Sequence, residues 1–242
     1  MRYFMQLSYR GAQFHGWQVQ PHDPSVQQAI EEALAVLLHT PTPITGAGRT
    51  DTGVNARKMI AHFDTAQPIA DTARLVHSLN GMLCRDIAIQ RVWQVDDNAH
   101  ARFDATSRTY KYYVHEGKNP FAYPLSWQCP PGIDFDLMNE AAACLLRYRD
   151  FTSFSKLHTD VKTNNCTVTH ARWERDEHGW VFTITADRFL RNMVRAVVGT
   201  LVEVGRHKIT VEEFCHIIER RDRCAAGTSM PAHALFLHDV TY

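Results

Sequence analysis

Two kinds of apolar spacing take turns along this chain, and their alternation limits the folds open to it. Val26, Ala29, Ile30, Ala33, Leu34, Leu37 and Leu38 recur at intervals of three and four, as do Leu190, Met193, Val194, Val197, Val198, Leu201 and Val202. Each set draws one apolar stripe along a helix, the first ending near Thr40 and the second spanning 189–204. Around these helices the period is two. Tyr3, Met5, Leu7 and Tyr9 share one face of a strand over 2–9, and 58–64, 86–95, 107–115, 166–175, 180–186 and 234–241 read as further strands. Shorter helices are expected from Thr72 behind an Asp71 cap, from Asp134 or Asp136 to about Arg147, and from Thr210 to about Arg220. Ser25 with Gln28 and Thr210 with Glu213 have capping-box spacing. Gly205 stands where the 189–204 helix needs a C-terminal cap, and residues 176–179 read as a hairpin turn. Residues 10–24, 96–106, 119–133 and 150–165 read as connections.

Strands and helices interleaved in this way describe an α+β chain. In outline each half carries a strand, a long loop, a helix, further strands and another helix, without a sequence repeat. The 242 residues suffice for one large domain or for two. The reading adopted is an N-terminal domain over 1–104 and a C-terminal domain over 105–242, with a cleft between such units as the favoured binding site.

Composition narrows the function. At 45% apolar and 21% charged residues the chain has a globular balance. No apolar run approaches the roughly 20 residues of a membrane span, and the N-terminus lacks a signal-peptide core. No membrane partner and a cytoplasmic location are therefore expected. The 6 cysteines form no C-x-x-C pair, which argues against a disulfide framework or a structural zinc site and predicts reduced, mostly buried thiols. The 14 histidines show no metal-binding spacing. The 26 basic residues are balanced by 26 acidic ones, so binding of a polyanion would need a local patch.

Residues 46–56 break both periodicities. Gly46, Gly48 and Gly53 permit positive φ, and one carboxylate, Asp51, follows two residues after Arg49. By composition this is an ordinary turn. A carboxylate in a constrained loop can also act as nucleophile, base or counter-charge to a developing cation. Arg191 and Arg195 sit one turn apart at the edge of the 189–204 stripe, where either solvent or a site could receive their heads. In the 107–115 strand, alternation puts Arg108, Tyr110 and Tyr112 on one face. Such a face can stack on bases and hold phosphates, although from the pattern alone plain strand packing is the better explanation. Phe14, His15, Gly16 and Trp17 either bind a base or fold back on the core, and Arg220, Arg221 and Arg223 read as a solvated helix end.

Ordered blocks along the chain carry a resemblance. Gly48-Arg49-Thr50-Asp51-Thr52-Gly53-Val54-Asn55-Ala56 resembles the G-R-T-D-x-G-V-H-A motif of TruA-type tRNA pseudouridine synthases. Residues 9–18 with Val26 and Gln27 resemble the family's Y-D-G-x-x-F-x-G-W-Q and T-V-Q stretches, and 101–105 with Arg108 and Tyr110 resemble A-R-F-x-A-x-x-R-x-Y. Residues 150–154 resemble D-F-x-S-F, 189–205 resemble F-L-x-x-M-V-R-x-x-x-G-x-L-x-x-V-G, and 231–237 resemble the closing A-P-x-x-G-L-x-L. Three positions depart from the pattern: Arg10 stands where the family usually has Asp, Asn55 where it has His, and Ala234 where it often has Gly.

The resemblance implies a pseudouridine synthase fold. That means two similar halves with mostly antiparallel sheets, flanking helices and a central active-site cleft. It implies a homodimer that acts without cofactor or metal on uridines 38, 39 and 40 of the tRNA anticodon arm. Asp51 matches the catalytic aspartate, Arg195 the arginine that pairs with it, and Tyr110 the tyrosine that stacks on the uracil and takes part in proton transfer. Arg49 matches the arginine that fills the place of the flipped base, and Arg108 joins it in the expected RNA-binding surface. Two other chemistries share these residue types: a catalytically silent tRNA-folding module, and a hydrolytic RNA N-glycosidase.

Overall fold

The computed structural model describes residues 1–156 and 163–242, so part of the 150–165 connection lies outside the described residues. In chain order the elements are β1 (Arg2–Tyr9), α1 (Val26–Leu38), β2 (Thr45–Gly46), β3 (Asn55–Asp64), α2 (Thr72–Met82), β4 (Ile87–Val95), β5 (Ser107–Glu116), β6 (Trp127–Cys129), α3 (Phe135–Cys144), β7 (Val168–Arg175), β8 (Trp180–Ala186), α4 (Met193–Gly205), α5 (Val211–Arg220) and β9 (Leu235–Thr241). Pairings of β1 with β3 and β4, of β2 with β3, and of β8 with β5 and β7 are antiparallel, while β6 runs parallel to β5. With five helices beside these strands among the described residues, the fold is α+β, as the periodicities predict. The chain forms two compact units, one of residues 1–106 with 237–242, the other of residues 107–236.

In the first unit the strand order is β4-β1-β3-β9, with β2 added at β3. Met5 lies opposite Ala61 and Val92, and Leu7 opposite Met59 and Ile89, all of them buried. The apolar stripes of α1 (Val26, Ile30, Leu34) and α2 (Leu75, Leu79) are buried as well, and α2 lies along β4. Removing these side chains from water is the main force assembling the unit. Ser25 caps α1 by accepting from Gln28 N at 3.2 Å, but the Gln28 amide donates to Glu32 instead, so only half of that capping box forms. The Thr210–Glu213 box on α5 forms completely.

Phe4 points to the sheet face opposite Tyr3 and packs against the rings of His62, Trp93 and Tyr242. This aromatic group and hydrogen bonds made by Arg2, His62 and Tyr242 hold down the connection that follows β4. Arg2 donates through Nε and Nη2 to the Asp64 carboxylate at 2.9 and 2.8 Å and through Nη1 to the Ala99 carbonyl at 2.9 Å. His62 Nδ1 accepts from Ala101 N at 3.2 Å, and Tyr242 donates its hydroxyl to the Ala101 carbonyl at 2.7 Å. His62 can accept that bond only while neutral at Nδ1.

The second unit has strand order β5-β8-β7 with β6 beside β5. Its β7–β8 hairpin turns at Gly179, where φ is +151° and the Val114 carbonyl leaves no room for a side chain. Phe135 of α3 stacks on Trp180 at 4.1 Å and meets Trp173, while α3 packs on β7, α4 and α5. The helix expected over 189–204 begins only at Met193, because Asn192 takes a left-handed conformation at φ +66°. Arg191 and Arg195 therefore do not share a helix. Nor is Gly205 a left-handed cap. It closes the last turn, and a Cβ there would meet Met138 Sδ at 2.5 Å, so close packing against α3 fixes this glycine. The chain reverses at His207 instead (φ +55°). The expected α3 ends at Cys144 and continues as a short 3-10 turn to Arg147. Strand β6 lies inside the stretch expected to be a loop, since only three of its residues pair.

Burial, and then the Arg2 and His100 charges, push the His62 imidazole down from its ordinary value of 6.5 to about 4. A histidine held neutral in the folded state stabilises above pH 6.5. As pH falls towards 4 the unfolded chain gains a proton that the native state refuses, and that stability is lost. The loss is expected to be about 1–3 kcal/mol. His62→Gln, whose amide oxygen can still accept from Ala101, should show a smaller drop in denaturation midpoint between pH 7.5 and pH 4.5 than the parent chain.

Candidate active site

The Arg49–Asp51 loop is shaped by the segment that follows β1. Gly11 and Gly16 lie directly on the backbone of Val54 and Thr50, respectively, and a Cβ on either would strike a carbonyl. Gly16 also has φ +92°, open to few residues other than glycine. Main-chain bonds follow from that approach: Trp17 N donates to Thr50 O at 3.3 Å and Gly53 N to Phe14 O at 3.4 Å. Tyr9 and Thr50 share a buried hydroxyl bond of 2.8 Å. Trp17 fills the space that a side chain on Gly46 would need, 2.6 Å from such a Cβ. Phe14 and Trp17 are buried, so of the two sequence alternatives the stretch folds back on its own core.

Among the loop glycines only Gly53 uses its freedom, at φ +78°. Gly46 is required for space, and around Gly48 nothing lies within 4 Å of a would-be Cβ. Val54 N closes a turn on Asp51 O at 3.1 Å. The result is a buried Thr50 between an exposed Arg49 and a half-buried Asp51. Asn55, one of the departures from the family pattern, is buried and accepts from Gly11 N at 2.9 Å through Oδ1. It satisfies a donor that the close-packed glycine segment would otherwise leave buried and bare. Arg10, another departure, joins the start of β4 through its N–H, which donates to Asp86 O at 2.9 Å.

The remaining predicted residues belong to the second unit. Tyr110 on β5 is half-buried and meets the edge of Phe189 at a centroid distance of 5.0 Å and 82°. Arg108, two residues earlier, donates from Nη1 to the Asp187 carbonyl at 2.8 Å. Tyr112 on the same strand face is buried, and its hydroxyl donates to Pro231 O at 3.1 Å. Burial pushes its phenol well above the usual tyrosine range.

Arg195 lies in the first turn of α4 and is gripped twice by one residue. Its carbonyl accepts from Met230 N at 3.1 Å, and its Nε donates to Met230 O at 2.5 Å. The segment 227–230 reaches α4 because Gly199 carries no side chain where Thr228 crosses it. Asn192 binds Ser229 Oγ at 2.5 Å, and Arg223 binds the same oxygen at 2.9 Å. Arg223 is thus structural and Arg221 pairs with Asp150 at 3.1 Å, so the basic cluster at the end of α5 is more than a solvated tip. No local pattern announces Met230 as the residue that orients Arg195. Gly199 was the available signal. Among the described residues no three His, Cys, Asp or Glu side chains gather as a metal site requires, and no helix is long and apolar enough to cross a membrane.

The chain is similar in sequence to known proteins over its whole length. A family model described as tRNA pseudouridine synthase matches residues 141–242. A protein of Parabacteroides distasonis named tRNA pseudouridine synthase A is 61% identical over 241 residues, covering 100% of this chain and 96% of that one. Proteins of the same name from Bacteroides fragilis and Bacillus subtilis are 54% and 38% identical, each across 100% of this chain and at least 96% of their own length. Identity of this extent along the whole length means that this chain belongs to the tRNA pseudouridine synthase family.

Proposed function

We propose that this chain isomerises uridine to pseudouridine at positions 38, 39 and 40 in the anticodon stem-loop of tRNA, as a cytoplasmic homodimer. The observation that carries the reading is the full-length 61% identity to a protein named tRNA pseudouridine synthase A. The Asp51 loop supports it, because a rigid backbone holds a half-buried carboxylate beside an exposed guanidinium.

Asp51 is the catalytic carboxylate in this reading. The N1–C1′ bond breaks, positive charge develops at C1′, and the carboxylate stabilises it. The detached uracil turns, C5 bonds to C1′, the C5 proton leaves and N1 gains one. Atoms and oxidation state are conserved, so the isomerisation itself consumes no co-reactant. Tyr110 stacks on the uracil and serves the proton transfers, and Arg195 is the counter-charge to Asp51. The target base has to leave the helical stack first. Arg49 takes the vacated place, and Arg108 adds to the RNA-binding surface together with Arg49 and Arg195.

The direct test uses tRNA tritiated at C5 of uridine. The parent chain should release tritium and produce no free uracil. Asp51→Asn should lower release at least ~10³-fold with the fold intact by circular dichroism. Free uracil in place of pseudouridine would point to glycosidic hydrolysis, and undiminished release by Asp51→Asn would remove that residue from the mechanism. Gly16→Ala, which drives a methyl group into the Thr50 carbonyl, should cost about 1–3 kcal/mol of stability in denaturant and lower turnover as well. Light scattering on the purified protein should give twice the mass of one chain; a single-chain mass would refute the dimer.

A further inference from the structure

Away from the residues assigned to the reaction, the end of α3 and the middle of α5 bring two thiols to one guanidinium. Arg147 Nη2 is 2.9 Å from Cys144 Sγ and 3.9 Å from Cys215 Sγ. The two sulfurs therefore flank one guanidinium nitrogen. Cys144 is buried and Cys215 half-exposed, and both line an open groove of about 480 Å³ together with Tyr148, Glu212 and His216. Nearby on α5, Glu219 is engaged by the Tyr148 hydroxyl at 2.8 Å and by His216 Nδ1 at 3.1 Å. All six cysteines are free, and only Cys129, Cys144 and Cys166 are buried, fewer than composition suggested.

Two thiols that share one guanidinium, Cys215 more exposed than Cys144, have the parts of a reversible dithiol. We propose that Cys144 and Cys215 are a redox modification site, which hydroperoxides oxidise to a disulfide joining α3 to α5. The accessible Cys215 thiolate attacks the peroxide O–O bond, takes one oxygen as a sulfenic acid and expels hydroxide or alkoxide. Cys144 then attacks the Cys215 sulfur, the S–O bond breaks and the S–S bond forms. Two thiols and one hydrogen peroxide give one disulfide and two waters, and the sulfurs supply the two electrons that reduce the peroxide. Arg147 stands beside the attacking sulfur in both steps. Burial pushes the Cys144 thiol up, so it waits protonated until the sulfenic acid forms next to it. A thiol-reducing compartment would return the pair to its open form.

The inference does not depend on the RNA chemistry, and its test needs none. The intact chain is treated with hydrogen peroxide, denatured, capped with N-ethylmaleimide and mapped by mass spectrometry without reductant. Of the 6 thiols 4 should be capped, with the Cys144 and Cys215 peptides joined, and dithiothreitol should restore all 6. Cys144→Ser should stop Cys215 at a sulfenic acid trapped by dimedone, and Cys215→Ser should leave Cys144 reduced. The joined form should unfold several degrees higher, since the link restrains the unfolded chain. Exposed Cys84 and Cys224 are internal comparators. If they oxidise while Cys144 and Cys215 remain capped, or if any other pair joins, the assignment fails. The parent-chain map decides this even where a serine variant does not fold.

Discussion

Backbone lying directly on backbone gives the Asp51 loop its shape. Gly11 and Gly16 let the chain after β1 come within main-chain hydrogen-bonding distance of Thr50 and Gly53, and no larger residue fits at either point. That contact needs β1 and β3 in their observed register, because Tyr9 at the end of β1 faces Ala56 at the start of β3. A slip of one residue would turn Met5 and Leu7 out of the core and separate the two segments. The apolar core of the first unit and the position of one carboxylate are therefore fixed by the same strand pairing.

The second unit uses a similar device. Gly199 lets residues 227–230 cross α4, and Met230 then holds Arg195 by main-chain atoms on both sides. A guanidinium held in this way has little rotamer entropy left to lose when it meets an anion. Tyr112, buried and bonded to Pro231, ties β5 to the same segment. Polar groups in both units are thus positioned mainly by backbone partners, which individual side-chain changes disturb least.

The helices of the second unit form a packed layer in which α3 touches both α4 and α5. Arg195 stands on one member of that layer, and the Cys144–Cys215 pair bridges the other two. A covalent link between α3 and α5 would stiffen the layer on which α4 rests. Arg147 stands beside both thiols, and the two helices that carry them are already in contact.

Much of this was legible in the residues themselves. Local periodicity placed β1, α1, α2, β4, β5, α5 and the β7–β8 hairpin, because each is decided by side-chain spacing and caps over a few residues. Motif order identified the family, which the full-length relatives show. What spacing could not reach depended on partners distant in the chain. Arg191 falls outside α4 because Asn192 turns left-handed, Gly205 is a packing residue rather than a cap, and Gln28 leaves its capping box for Glu32. Nothing local announces that residues 237–242 fold with 1–106, or that Asn55 serves Gly11. The kinds of element and the family follow from the order of residues along the chain. Folding settles which glycines admit a backbone, which buried donor Asn55 satisfies and which two cysteines share Arg147, because each is a question of space between segments distant in the chain.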